Sequence, residues 1–91
     1  MPKVTSYAIS LAADQDIEEI FDYTQRKFGV DQAVEYVLEF KGLFEQLVDY
    51  PELGKDRSEI KIGLRSFSKT AHVVFYRVME DHIRIVRILH A

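Results

Sequence analysis

The chain has no cysteine. That excludes disulfides and thiolate metal sites, and it suits a reducing compartment such as the cytoplasm. No apolar run approaches the roughly 20 residues that a membrane-crossing helix needs. The opening Met1-Pro2-Lys3-Val4-Thr5-Ser6 lacks the long apolar core of a secretory leader. A cytoplasmic protein with no membrane partner is therefore expected. Phosphate-binding glycine loops, dinucleotide fingerprints, His-Glu-x-x-His motifs and nucleophile elbows are all missing. The three histidines lack metal-ligand spacing. The helix acids are dispersed along wet faces, so no pair of carboxylates for hydrolysis stands out. No catalytic residue, metal, cofactor or small-molecule substrate is expected.

Linkers, internal repeats and low-complexity tracts are missing too, so residues 1–91 read as one domain. A domain of this size buries roughly 60–65% of its unfolded surface and is only modestly stable. An apolar fraction of 47% at net charge −3 is too high for a disordered chain. The net charge conceals a division. Residues 1–54 carry four cations against eleven acids, a net of −7, and residues 55–91 carry eight against four, a net of +4. A molecule divided in this way can meet an anionic partner with its C-terminal half. Equally, helices collect Glu and Asp on their solvated faces.

Val4-Thr5-Ser6-Tyr7-Ala8-Ile9 reads as a first strand. Ser10 is a plausible N-cap for a helix whose early turns carry Asp14, Asp16, Glu18 and Glu19, where the helix dipole favours anions. The apolar stripe runs Ala13, Ile17, Ile20, Phe21, Thr24 and Phe28, and Gly29 ends the helix. Asp31 can cap a second helix with a stripe of Ala33, Val37, Phe40, Phe44, Leu47 and Val48, flanked by Tyr36 and Leu43 and stopped by Pro51. So short a link makes the two helices an antiparallel hairpin. A turn at Pro51-Glu52-Leu53-Gly54-Lys55 and a polar loop precede three strands near 62–68, 72–79 and 82–89. The expected class is α+β, in the order β-α-α-β-β-β. An antiparallel helix hairpin covers one face of a small twisted, mainly antiparallel sheet.

The last strand, Arg84-Ile85-Val86-Arg87-Ile88-Leu89-His90, studs an otherwise apolar run with cations. A two-residue turn at Glu80-Asp81 sets Arg77 opposite Arg84, Phe75 opposite Val86 and Val73 opposite Ile88. One face then carries Val73, Phe75, Arg77, Met79, His82, Arg84, Val86, Ile88 and His90. The other carries His72, Val74, Tyr76, Val78, Ile83, Ile85, Arg87 and Leu89, and this more apolar set is assigned to the core. Like charges directly opposite on a sheet are unfavourable. Either an anionic group belongs between Arg77 and Arg84, or both side chains splay into water or pair with Glu80 and Asp81. Arg87, among core-facing residues, is expected to pair with a helix carboxylate or a backbone carbonyl. Arg65 follows Gly63-Leu64 at the start of the second strand. Tyr23 and Leu38 lie off their helix stripes, where a partner contact or plain exposure would explain them.

Taken in order, several segments resemble one family: Ile17-Glu18-Glu19-Ile20-Phe21-Asp22-Tyr23; Phe28-Gly29 before Gln32-Ala33-Val34-Glu35-Tyr36; Phe44-Glu45-Gln46-Leu47 before Pro51-Glu52-Leu53-Gly54; Gly63-Leu64-Arg65; His72-Val73-Val74-Phe75-Tyr76-Arg77; and Arg87-Ile88-Leu89-His90. The chain resembles the ParE toxins of the RelE/ParE superfamily, from bacterial type II toxin–antitoxin modules. The resemblance implies a helix hairpin on a twisted sheet. It implies DNA gyrase as a target that is poisoned by binding, not by catalysis. It also implies a ParD-like antitoxin whose C-terminal segment wraps the toxin, so that operator DNA is met only through the antitoxin. On this reading Arg65, Arg77, Arg84 and His90 meet the target or the acidic antitoxin tail, and Tyr23 and Leu38 contact the antitoxin.

Two alternatives stand beside it. The RelE branch cleaves mRNA on the ribosome with basic residues on the open face and a basic or tyrosine residue near its C-terminus. Its basic positions fall here on Leu64, Ser66 and Val73, which neither stabilise a phosphate nor move a proton. A net charge of −3 is also poor for gripping RNA. The other alternative is a non-toxic antitoxin-binding module, since ParE-like chains usually continue past the Leu-His at which this one reaches Ala91.

Overall fold

A computed structural model describes residues 3–91. Strand β1 spans Ser6–Ile9, helix α1 Leu11–Phe28 and helix α2 Val30–Asp49. Four strands follow: β2 Lys55–Asp56, β3 Leu64–Lys69, β4 His72–Val78 and β5 His82–His90. The sheet order is β1-β5-β4-β3-β2. β1 runs parallel to β5, and every other pairing is antiparallel. The α+β class and the helix hairpin agree with the sequence reading. The polar loop adds one short strand, β2, that the sequence did not announce. It is two residues long and both are exposed, so it carries no hydrophobic alternation to read.

Ser10 caps α1: its Oγ accepts from the Ala13 N–H at 3.0 Å. Gly29 both closes α1, donating its N–H to the Gln25 carbonyl at 2.9 Å, and opens α2. Its φ of +92° is one that side chains rarely adopt, which lets two helices meet at one residue. Asp31 is therefore not a cap. It lies in the first turn of α2, which has no side-chain cap hydrogen bond. The α1 stripe is also shifted at its edges. Phe28 is 69% exposed, whereas Asp16 is buried.

The core sits between the hairpin and one sheet face. Phe40, Leu43, Phe44 and Leu47 of α2 and Ala13 and Ile20 of α1 pack on Val74, Tyr76, Ile83, Ile85 and Ile88. Each buried Phe, Ile or Leu is worth about 1.5–3 kcal/mol over its exposed state. The Tyr7 ring packs on Phe44 at 5.4 Å between centroids and ties β1 to α2.

Tyr76 is wholly buried, and its hydroxyl fixes the turn after α2. It donates to the Pro51 carbonyl and accepts from the Gly54 N–H, both at 2.8 Å. A Cβ at Gly54 would lie 2.6 Å from the Tyr76 ring and 2.7 Å from the Ser66 carbonyl. Only glycine permits that approach.

Replacing Tyr76 with Phe strands a buried N–H and a carbonyl, and Gly54→Ala forces backbone apart. Urea unfolding should show each variant less stable by about 1–3 kcal/mol. Wild-type stability in both would refute this account of the turn.

Candidate functional site

At Phe75/Tyr76 the β4–β5 register shifts. Tyr76 faces Ile85, but Phe75 faces Arg87, leaving Val86 as an extra residue on β5. The main-chain groups around this bulge are satisfied from α1. Ser10 Oγ donates to the Val86 carbonyl at 2.8 Å. β1 pairs with β5 only as far as Ile85, and beyond it Asp16 takes over. Its carboxylate accepts from the Ile88 N–H at 2.9 Å and from Arg87 Nε and a terminal guanidinium nitrogen at 2.8 and 3.0 Å. The pairing of Arg87 with a helix carboxylate was expected, and the partner is Asp16. The Arg87 hydrogen bonds hold the Asp16 carboxyl below its ordinary range, and Asp16 in turn raises Arg87.

The bulge decides which residues share a face. Paired residues on neighbouring strands point to the same side. Arg77 does face Arg84, as the turn at Glu80-Asp81 requires. Past the bulge the two faces exchange. Val74 pairs with Ile88, Val73 with Leu89 and His72 with His90. Ile88 is core and Leu89 is 39% exposed, the reverse of the expected assignment. His90 joins His72 on the helix side, not the arginines on the open face.

Arg65 is also displaced from the expected cluster. It pairs with Tyr76 and so shares the helix side. Its guanidinium donates to the Gly54 carbonyl at 2.6 and 3.1 Å and to the Glu52 carbonyl at 3.2 Å. Arg65 holds the Pro51–Gly54 turn through these carbonyls.

The open face keeps Arg77 and Arg84 beside the half-buried Val73 and Phe75. Arg77 turns toward the 57–63 loop and donates to the Ile62 carbonyl at 2.9 Å. That loop covers the outer side of β3. Arg57 Nε donates to Ser66 Oγ at 2.8 Å, and Leu64 and Ser66 are buried. Arg84 is exposed and has no ion pair or side-chain hydrogen bond among the described residues. Asp81 is engaged by His82 at 2.8 Å, so neither turn acid neutralises the arginines. Tyr23 and Leu38 are 53% and 59% exposed, on the helix hairpin and away from the open face. Lys27 Nζ lies 5.8 Å from the centre of the Tyr23 ring.

A second group of residues was not foreseen as a unit. An open groove of about 720 Å³ runs between the hairpin and the ends of β4 and β5, lined among others by Tyr23, Phe28, Tyr36, His72, Arg87 and His90. The Tyr36 hydroxyl meets His72 Nδ1 at 2.7 Å, and the His72 and His90 rings stand edge to face at 5.3 Å. Burial, then neighbouring His90, lowers the His72 pKa. Burial raises that of Tyr36. The helical spacing of Ala13, Asp16, Ile20 and Thr24 was a readable sign that Asp16 faces inward. The histidine pairing had no such sign, because it depends on the bulge.

A family model described as the ParE toxin of type II toxin–antitoxin system, parDE, matches residues 7–91. Toxin ParE1 of Caulobacter vibrioides is 33% identical over 84 residues, which cover 92% of this chain and 86% of that protein. Toxin ParE1 of Mycobacterium tuberculosis is 40% identical over 85 residues, covering 92% and 87%. A solved structure titled chromosomal ParDE TA system from P. aeruginosa superposes with a TM-score of 0.83, over 98% of this chain and 97% of that one. At 20% identity this last likeness is one of fold.

The Asp16 pairing has a pH signature. Its carboxyl titrates lower in the folded than in the unfolded chain, so its stabilisation is complete above the unfolded value of about 3.9 and is lost as pH falls through the folded value. Asp16→Asn should be about 1–3 kcal/mol less stable at pH 7. It should also lose less additional stability than the parent between pH 5 and about pH 2. Identical acid-unfolding curves would show that the pair is not stabilising.

Proposed function

The chain belongs to the ParE toxin family of type II toxin–antitoxin systems, and from that membership we propose that it acts by binding DNA gyrase and is neutralised by a ParD-like antitoxin. The observation that carries the reading is the family match across residues 7–91. The mode of action is adhesion to a protein, in the cytoplasm, without catalysis by the toxin. Support comes from the open face, where the positions basic in the ribonuclease branch are Leu64, Ser66 and Val73. The first two are buried under the 57–63 loop, and none of the three transfers a proton.

Arg84 is the cation best placed to meet an acidic antitoxin tail or target surface, because no described group competes for it. Apolar neighbours give contact area, and charge sets association rate and specificity. Tyr23 and Leu38 belong to the antitoxin contact on the helix side, so an antitoxin reaching both must span two surfaces.

In a supercoiling assay, stoichiometric excess of the purified chain should inhibit gyrase, and added antitoxin should restore activity. Undiminished supercoiling with a folded toxin would overturn the gyrase reading. Codon-dependent cuts in ribosome-bound mRNA would transfer the chain to the ribonuclease branch. Tight antitoxin binding without growth arrest would make it a non-toxic module. Arg84→Glu should slow antitoxin association about tenfold at low salt, with the difference shrinking near 0.5 M salt. Equal rates at low salt would remove Arg84 from the interface.

A further inference from the structure

His72 opens β4 and His90 ends β5, and the two are directly paired. Their ring centroids are 5.3 Å apart and their planes cross at 86°. Each ring has Nδ1 engaged. His72 Nδ1 meets the Tyr36 hydroxyl at 2.7 Å, and His90 Nδ1 meets the Ala91 main-chain oxygen at 3.0 Å. Nε2 of each ring has no hydrogen-bond partner among the described residues. In metal-bound imidazole one nitrogen donates to a second group and the other holds the ion. The Ala91 oxygen can only accept from His90 Nδ1, and the Tyr36 hydroxyl can accept from His72 Nδ1 in the same way. Two imidazoles on one tetrahedral zinc, with Zn–N of about 2.0–2.1 Å, place their centroids roughly 5 Å apart. The two strands already hold the rings at that separation.

We propose that His72 and His90 form a two-histidine site for an imidazole-preferring divalent transition ion such as zinc, nickel or copper, with water completing the coordination. Neutral imidazole is the ligand form. The nearby charged groups do not compete for the ion. Glu39 of α2 is paired with Lys69 of β3 at 2.8 Å, and Asp16 of α1 is paired with Arg87 of β5. Glu19 also lines the groove, but no three His, Asp or Glu side chains converge among the described residues. The site is therefore an exchangeable one of moderate affinity and not a closed structural centre. A bound ion would cross-link the start of β4 to the end of β5 at the groove's mouth. The proposal is independent of the gyrase and antitoxin readings.

The test titrates the full chain with zinc at pH 7.5 by calorimetry and follows the histidine ring signals by NMR with trace nickel or copper. Saturable micromolar binding should broaden or shift the His72 and His90 signals, with copper held more tightly than nickel or zinc and magnesium without effect. His90→Gln, at an exposed position, should weaken binding at least tenfold without unfolding the chain, and His72→Gln should do the same. His82→Gln should change nothing. Binding should also fade as pH falls, because protons compete with the ion for imidazole nitrogen. No saturable response below about 1 mM zinc, or a response that survives both His72→Gln and His90→Gln, would overturn the proposal.

Discussion

Val86 stands unpaired between Ile85, which faces Tyr76, and Arg87, which faces Phe75, and the C-terminal end of the sheet is organised by how α1 supports that insertion. An extra residue breaks a ladder and leaves polar groups to be satisfied. The first two turns of α1 and its cap supply the partners. Ser10 both receives the Ala13 N–H and gives its own proton to the Val86 carbonyl. Asp16 accepts the Ile88 N–H where β1 has stopped pairing. A carboxylate there would be costly without a cation, since buried charge demands a partner. Arg87 is that partner, and its own side chain remains about half exposed. Helix start, strand bulge and ion pair therefore form one unit.

This unit explains which parts of the fold were legible. Helices α1 and α2 announce themselves through 3.6-residue periodicity, the Ser10 cap and the Gly29 junction. The final hairpin was legible from its turn as far as Tyr76 and Ile85, because a two-residue turn sets register. Beyond that point the alternation of apolar residues gave the wrong side for Ile88, Leu89 and His90. Nothing in Ile85-Val86-Arg87-Ile88 marks a bulge: there is no glycine, and Val86 suits a regular strand. The groups that support the bulge lie 71 to 76 residues away, in α1 and its cap, beyond the reach of local pattern. Phe28 and Asp16 mislead in opposite ways. An aromatic at helical spacing lies past the end of the core, and an acid at the same spacing lies under it.

The candidate site was only partly legible for a related reason. Residue type and strand position identify Arg65, Arg77, Arg84 and His90 as basic residues near a sheet, but not what each already holds. Arg65 is committed to the carbonyls of Glu52 and Gly54, Arg77 to that of Ile62, and His90 stands against His72. A guanidinium offers five donors, so these tethers orient Arg77 without exhausting it. They also remove much of the conflict between Arg77 and Arg84, because Arg77 leans toward the loop and Arg84 is left to solvent.

Five of the eight cations in residues 55–91 are already engaged, Arg65 and Arg77 with carbonyls and Arg57, Lys69 and Arg87 with a hydroxyl or carboxylates, and that limits what the basic half can do. A surface that grips nucleic acid needs several unengaged cations, since affinity scales with the number of phosphates neutralised. Here the net −7 of the first 54 residues adds a repulsive field close by. On the open face Arg84 is the one arginine without a partner among the described residues, beside half-buried Val73 and Phe75, and a protein contact there would draw affinity from apolar area and direction from the charge. An acidic, partly apolar segment satisfies both conditions. If disordered before binding, such a segment loses several kcal/mol to ordering, so a short contact at Arg84 alone would hold it weakly. Contact that continued onto the exposed Tyr23 and Leu38 of the hairpin would add the apolar area that Arg84 by itself lacks.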